Sequence, residues 1–164
     1  MTLNEHGRVK GKDMTPATID PETFTITFER RLRASPEDVF DAWTRPEELT
    51  EWWDPTGTPL VRCHVELRVG GSFRFENAGH ASPFSGVYRV IERPAKLVFE
   101  ALGSVGTVAL TAEGDTTHLM VEIRCASAEH LQQFLKMGVH LGTERTLDNL
   151  VLRLHTRAAL RGAG

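Results

Sequence analysis

The first regular pattern in the chain is an alternation of apolar and polar residues that begins at Phe24. Apolar side chains at Phe24, Ile26, Phe28 and Leu32 are separated by polar ones. A period of two residues is typical of a strand with one buried face. The pattern therefore predicts a first strand over residues 24–32.

Two short helices are predicted next. Ser35 precedes Pro36 and two acidic residues, which is a typical helix start with a serine cap and a proline in the first turn. Pro46 and the acidic pair after it begin a second helix, which carries Trp52 and Trp53. Prolines and a glycine beyond residue 54 end that helix.

The middle of the chain alternates repeatedly between strand patterns and turns. Short connections of this kind favour antiparallel neighbours. With the first strand, the segments predict a seven-stranded antiparallel sheet. The six further strands are expected at Arg62–Val69, Ser72–Glu76, Phe84–Glu92, Leu97–Leu102, Val105–Ala112 and Thr116–Cys125.

After Cys125 the apolar residues follow a helical period, in two stripes that point in nearly opposite directions. We therefore expect a break near Met137 and Gly138, between a short helix and a long one over about 139–159. On the long helix, His140 and Thr143 fall in line with Leu147.

Composition limits the possible classes of protein. The chain has 164 residues, 40% hydrophobic and 25% charged, with a net charge of −3. These values are typical of a soluble domain, and they argue against a nucleic-acid partner or a membrane span. Residues 1–22 are polar and without an apolar period, so we expect a flexible tail over 1–22 and a single domain over 23–161.

Cysteine content and the N-terminal segment indicate a cytoplasmic protein. Only Cys63 and Cys125 occur, too few for a disulfide framework, although one bond between them is conceivable. The first residues lack the apolar core of a signal peptide. The sequence leaves open a monomer or a homodimer.

The order of these elements resembles the α+β helix-grip fold of the START-like, birch-pollen-allergen-like superfamily. Five motifs within residues 24–157 are similar to bacterial proteins named after the activator of the 90-kDa heat-shock-protein ATPase. The resemblance implies a curved sheet around the terminal helix, with an apolar cavity between the two. The motifs are Ser35–Thr44, Pro46–Pro55, Gly70–Phe75, Gly86–Tyr88 with Leu97–Phe99, and Gly142–Leu150.

Aromatic residues and two polar helix residues are the candidates for a ligand site. A small-molecule pocket is mostly apolar with a few polar groups, so Trp43, Trp52 and Phe73 could also serve as lining, or all of these rings could be core. The predicted ligand-binding residues are Trp53, Phe75, Tyr88, Phe99, His140 and Thr143.

No catalytic residue, cofactor or metal site is assigned from the sequence. His140 and Glu144 are one helical turn apart, a spacing that could bind a metal or form an ion pair, but no other ligand type clusters with them. Phosphate-loop, dinucleotide-binding and zinc-protease motifs are absent from the sequence.

Three functions remain open from the sequence. The first is binding of a small hydrophobic or amphipathic, lipid-like molecule between the sheet and the C-terminal helix. The second, which the resemblance to the superfamily implies, is a cyclase- or dehydratase-like enzyme that uses polar groups in the same cavity, with His140, Thr143 and Tyr88 as acid–base candidates. The third is a co-chaperone-like interaction module, which only the family name suggests.

Overall fold

The computed structural model describes residues 2–3, 9–10, 16–79 and 82–163, and its fold is α+β with a curved antiparallel sheet. Its helices are α1 (Pro36–Thr44), α2 (Pro46–Trp52), α3 (Ala128–Lys136) and α4 (Val139–Ala163). Its strands are β1 (Thr2–Leu3), β2 (Val9–Lys10), β3 (Thr18–Asp20), β4 (Thr25–Leu32), β5 (Arg62–Val65), β6 (Ser72–Glu76), β7 (Phe84–Glu92), β8 (Lys96–Ala101), β9 (Ser104–Glu113) and β10 (Thr116–Arg124).

The main sheet has eight strands among the described residues, so the prediction of seven was wrong by one. Its order is β3-β4-β10-β9-β8-β7-β6-β5, and every neighbouring pair is antiparallel. The added strand is β3, which pairs Ile19 with Ile26 at the edge of the sheet. β3 lies within the range 1–22 that we expected to be a tail, while much of residues 1–15 lies outside the described residues.

The predicted helix starts are confirmed. The Ser35 hydroxyl accepts a hydrogen bond from the backbone N–H of Asp38 at 3.2 Å, which caps α1. Arg45 separates α1 from α2, and Pro46 opens α2. The short helices therefore follow each other with one residue between them, and both bury their apolar sides.

β5 is shorter than the alternation predicted. It ends at Val65 rather than Val69, because the chain turns early: the backbone N–H of Gly71 bonds the carbonyl of Arg68 at 2.8 Å. Gly70 has a φ of +82°, a conformation that favours glycine. Leu67 is therefore exposed instead of facing the core.

The predicted break between the two C-terminal helices is confirmed at Gly138, whose φ is +76°. It lets α3 bury Leu131 and Phe134 while α4 buries its own stripe in another direction. α4 packs on β4, and its core residues are Leu147, Leu150, Val151 and Leu154.

Candidate functional site

A cluster of aromatic side chains fills the space between the two short helices and strands β6, β7 and β8. It surrounds a cavity of about 10 Å³, which is close to the space that one water molecule requires. The lining residues are Trp43, Leu49, Trp53, Phe73, Phe75, Phe84, Tyr88, Leu97 and Phe99.

The rings of the cluster touch one another at distances typical of aromatic packing. Trp53 lies with its ring centroid 5.0 Å from that of Phe75 and 5.2 Å from that of Phe84. Phe73 lies 5.1 Å from Tyr88 and 5.5 Å from Phe99. Trp53, Phe84 and Phe99 are only half-buried, so they form the solvent side of the cluster.

Two strand glycines give the aromatic rings room on the inner face of the sheet. A Cβ at Gly86 would lie 2.6 Å from the ring of Phe73, and one at Gly106 would lie 2.5 Å from the ring of Phe99. Such distances leave no space for any side chain. Each ring therefore lies directly on the backbone of a neighbouring strand.

The turn after α2 places Trp53, and α4 holds that turn. The hydroxyl of Thr146 donates to the carbonyl of Trp53 at 3.1 Å, and the amide of Asn149 donates to the carbonyl of Asp54 at 2.9 Å. The buried Asp54 carboxylate in turn accepts hydrogen bonds from Asn77, at the end of β6, and from the backbone of Thr56. The backbone that carries Trp53 is thus fixed from two sides.

The surroundings of the cavity disfavour negative charge. Among the described residues, the lining contains no charged side chain, and Tyr88 contributes its one hydroxyl group. Burial raises the pKa of Tyr88, with a smaller contribution from the neighbouring Cys63. Burial likewise raises the pKa of the Cys63 thiol to about 11, and both Cys63 and Cys125 are free cysteines.

Four of the six predicted ligand-binding residues meet at this cavity. Trp53, Phe75, Tyr88 and Phe99 all line it, whereas His140 and Thr143 do not. The Thr143 hydroxyl instead donates to the carbonyl of Val139, one turn earlier in α4, at 2.8 Å. The half-buried ring of His140 has a buried Nδ1 without a partner in the described part of the chain.

This cavity therefore lies beneath α1 and α2, whereas the resemblance implies one between the sheet and α4. All of its lining comes from the two short helices, the turn after them and the sheet. α4 packs through its leucine stripe on β4, at the other end of the sheet order. Its role at the cavity is to hold the turn that carries Trp53.

Sequence reasoning assigned no site role to Phe84, Leu49 and Leu97, and it treated Trp43 and Phe73 as undecided. For Phe84 a signal existed, because it occupies the same face of β7 as Tyr88, four residues further along the strand. No sequence pattern indicated a lining role for Leu49, since a single apolar residue on a short helix is as typical of the hydrophobic core as of a cavity wall.

The described residues include no close group of three potential metal ligands. Glu144, which the spacing paired with His140, accepts a hydrogen bond from the backbone N–H of Ala17 at 2.8 Å.

Within the described ranges, every helix is too short or too polar to span a lipid bilayer.

The family described as "Activator of Hsp90 ATPase homolog 1-like protein" matches residues 33–155, well over half of the chain. The chain belongs to this family. Membership confirms the resemblance that the motifs indicated, and it makes the chain a START-like domain, a ligand-binding fold in general. No curated protein matches the chain.

Solved structures of several bacterial proteins are similar in fold to this chain. Protein Ms6760 from Mycobacterium smegmatis is 21% identical, with a TM-score of 0.76 over 87% of this chain and 98% of that one. Protein NE0264 from Nitrosomonas europaea is 22% identical, with a TM-score of 0.75 over 86% and 99%. CalU16 from Micromonospora echinospora is 26% identical, with a TM-score of 0.59 over 84% and 82%.

Proposed function

We propose that the protein binds one small hydrophobic or amphipathic molecule in the aromatic cavity. The observation that carries the proposal is an uncharged aromatic lining that includes two half-buried rings in mutual contact, Trp53 and Phe84. Ligand pockets are typically apolar with few polar groups. The START-like fold of the chain supports the same function.

A ligand must displace side chains to occupy this site. The open volume of about 10 Å³ is smaller than any organic ligand. Trp53 and Phe84 contact each other at the solvent side and keep part of their surface exposed. Rotation of these two rings disturbs less buried surface than displacement of the fully buried Phe73, Phe75 or Tyr88.

Binding of the neutral fluorophore N-phenyl-1-naphthylamine to the full chain tests the proposal. We expect a saturable increase in fluorescence with one molecule bound per chain. The Phe75→Leu variant should bind about tenfold more tightly, equivalent to about 1.4 kcal/mol, because the smaller side chain enlarges the cavity before the probe enters.

Phe28→Leu is the matched control for this experiment. Phe28 is fully buried in β4 and does not line the cavity. Both substitutions should lower stability by about 1–3 kcal/mol, but Phe28→Leu should leave the affinity for the probe unchanged. Absence of saturable binding to the unmodified chain, or an equal gain in both variants, would contradict the proposal.

A further inference from the structure

The indole N–H of Trp43 is a polar group of the cavity lining without a hydrogen-bond partner in the described part of the chain. Trp43 lines the cavity and is 5% exposed, and its buried Nε1 has no hydrogen-bond partner among the described residues. An unpaired donor in a buried site is destabilising. Such a group in a native fold therefore requires a physical reason.

The neighbouring tryptophan shows how the same local structure satisfies an indole. The Trp52 Nε1 donates to the carbonyl of Ala42 at 2.9 Å, and its ring packs edge-to-face on Trp43 with centroids 5.0 Å apart. Trp52 is absent from the cavity lining, whereas Trp43 is part of it. The two adjacent indoles thus differ in both respects: one is bonded and outside the lining, the other is unbonded and within it.

A water molecule is a poor partner for this donor. Buried waters usually make about three hydrogen bonds. Among the lining side chains, the Tyr88 hydroxyl is the one group that can accept a hydrogen bond, and the remainder is hydrocarbon apart from the indole N–H groups. An organic molecule with apolar surface and one acceptor matches the lining better.

We propose that Trp43 Nε1–H donates a hydrogen bond to an uncharged oxygen, such as a ketone or ester carbonyl, of the molecule bound in the aromatic cavity. This inference rests on the proposed function, and it names the ligand class: a largely apolar carbonyl compound. A carboxylate fits less well, because none of the described residues that line the cavity is a cation and a buried unpaired charge is costly. The raised pKa values of Tyr88 and Cys63 agree with this preference for neutral groups.

The test compares two probes of nearly equal shape, 1-indanone and indane, which differ by a carbonyl group. The indole N–H signals of the ¹⁵N-labelled chain are recorded during each titration and assigned with single tryptophan variants. We expect both probes to bind, with 1-indanone about tenfold tighter. Only 1-indanone should move the Trp43 N–H proton downfield, while the bonded Trp52 N–H shows no such shift.

Two substitutions remove one indole N–H each from the lining. Trp43→Phe should abolish the preference for 1-indanone over indane. Trp53→Phe, the matched control at another lining indole, should retain it. If Trp43→Phe does not fold, the N–H shift in the unmodified chain decides by itself.

The outcomes separate this inference from the proposed function. If neither probe causes a saturable change, the proposed function fails. If both bind equally and the Trp43 signal does not move downfield, the cavity binds apolar molecules but Trp43 is not the donor. Tighter binding of indane-1-carboxylate than of 1-indanone would overturn the assignment of a neutral acceptor.

Discussion

At the scale of single residues, the aromatic site depends on glycines as much as on rings. Gly106 lies in β9 directly under the ring of Phe99, and a single methyl group at this position would overlap that ring. The inner face of the sheet can therefore hold large rings close to its backbone. Gly86 has the same relation to Phe73 in the neighbouring strand pair.

Gly106→Ala should lower the free energy of unfolding by about 1–3 kcal/mol, because the new Cβ overlaps the ring of Phe99. Urea denaturation measures this loss. Adding Phe99→Leu to Gly106→Ala should cost less than the sum of the two single changes, since the smaller side chain makes room. Strictly additive costs would show that the ring and the glycine do not interact.

The residues of this site were only partly predictable. Strand alternation fixes which face a side chain occupies, and it placed Phe75, Tyr88 and Phe99 together. A stripe of apolar residues shows which side of a helix is buried. It does not show which neighbouring element each turn of the helix contacts. The first turns of α4 meet the turn at Trp53 and Pro55, and this turn contributes Trp53 to the cavity while Thr143 remains outside.

At the scale of elements, Gly138 decides how the C-terminal region folds. Its φ of +76° ends α3 and lets α4 begin in a new direction at Val139. The break could be predicted from the sequence because the two apolar stripes after Cys125 point in nearly opposite directions, and one straight helix cannot bury both. The strand β3 was not predicted, because its three residues are all exposed and it is too short to show a period.

Gly138→Ala should destabilise the protein by about 1–2 kcal/mol, because a left-handed backbone is costly for alanine. Gly142→Ala is the matched control in the first turn of α4. Among the described residues, a Cβ there would meet only Pro55, at an ordinary 3.9 Å, so helix propensity should give a gain of up to about 1 kcal/mol. Thermal unfolding of both variants checks the expected opposite signs.

At the scale of the whole molecule, an ion-pair cluster joins the start of the domain to its end. The Glu48 carboxylate in α2 accepts hydrogen bonds from Arg153 at 3.0 Å and from Arg157 at 2.7 Å, both in α4. Burial alone would raise the pKa of Glu48, but the hydrogen bonds from Arg157 and Arg153 outweigh it and hold that pKa below its ordinary value.

A lowered pKa in the folded state means that ionised Glu48 stabilises the fold above its unfolded pKa, and that this contribution is lost as pH falls through the folded pKa. Glu48→Gln should therefore cost about 1–2 kcal/mol at pH 7, and the cost should shrink as pH falls below about 4.5. Chemical denaturation across this pH range measures the difference.

Glu113→Gln provides the comparison for this prediction. Glu113 pairs with Arg31 at a site where both side chains are well exposed, and exposed pairs contribute about 0–1 kcal/mol. A cost for Glu48→Gln that is no larger, or that does not depend on pH, would mean that the cluster does not connect α2 to α4 energetically.

The anchoring of Trp53 has a consequence for kinetics. Its carbonyl is held by Thr146 in α4, while its ring stands half-exposed at the side of the cavity. The backbone can therefore stay in place while the ring rotates. Rotation of a single side chain needs less rearrangement than a collective motion of whole elements, which takes microseconds to milliseconds. The entry and release of a bound molecule would then be limited by its own affinity and not by motion of α4. The backbone amides of α4 would stay protected from hydrogen exchange in both the empty and the occupied state.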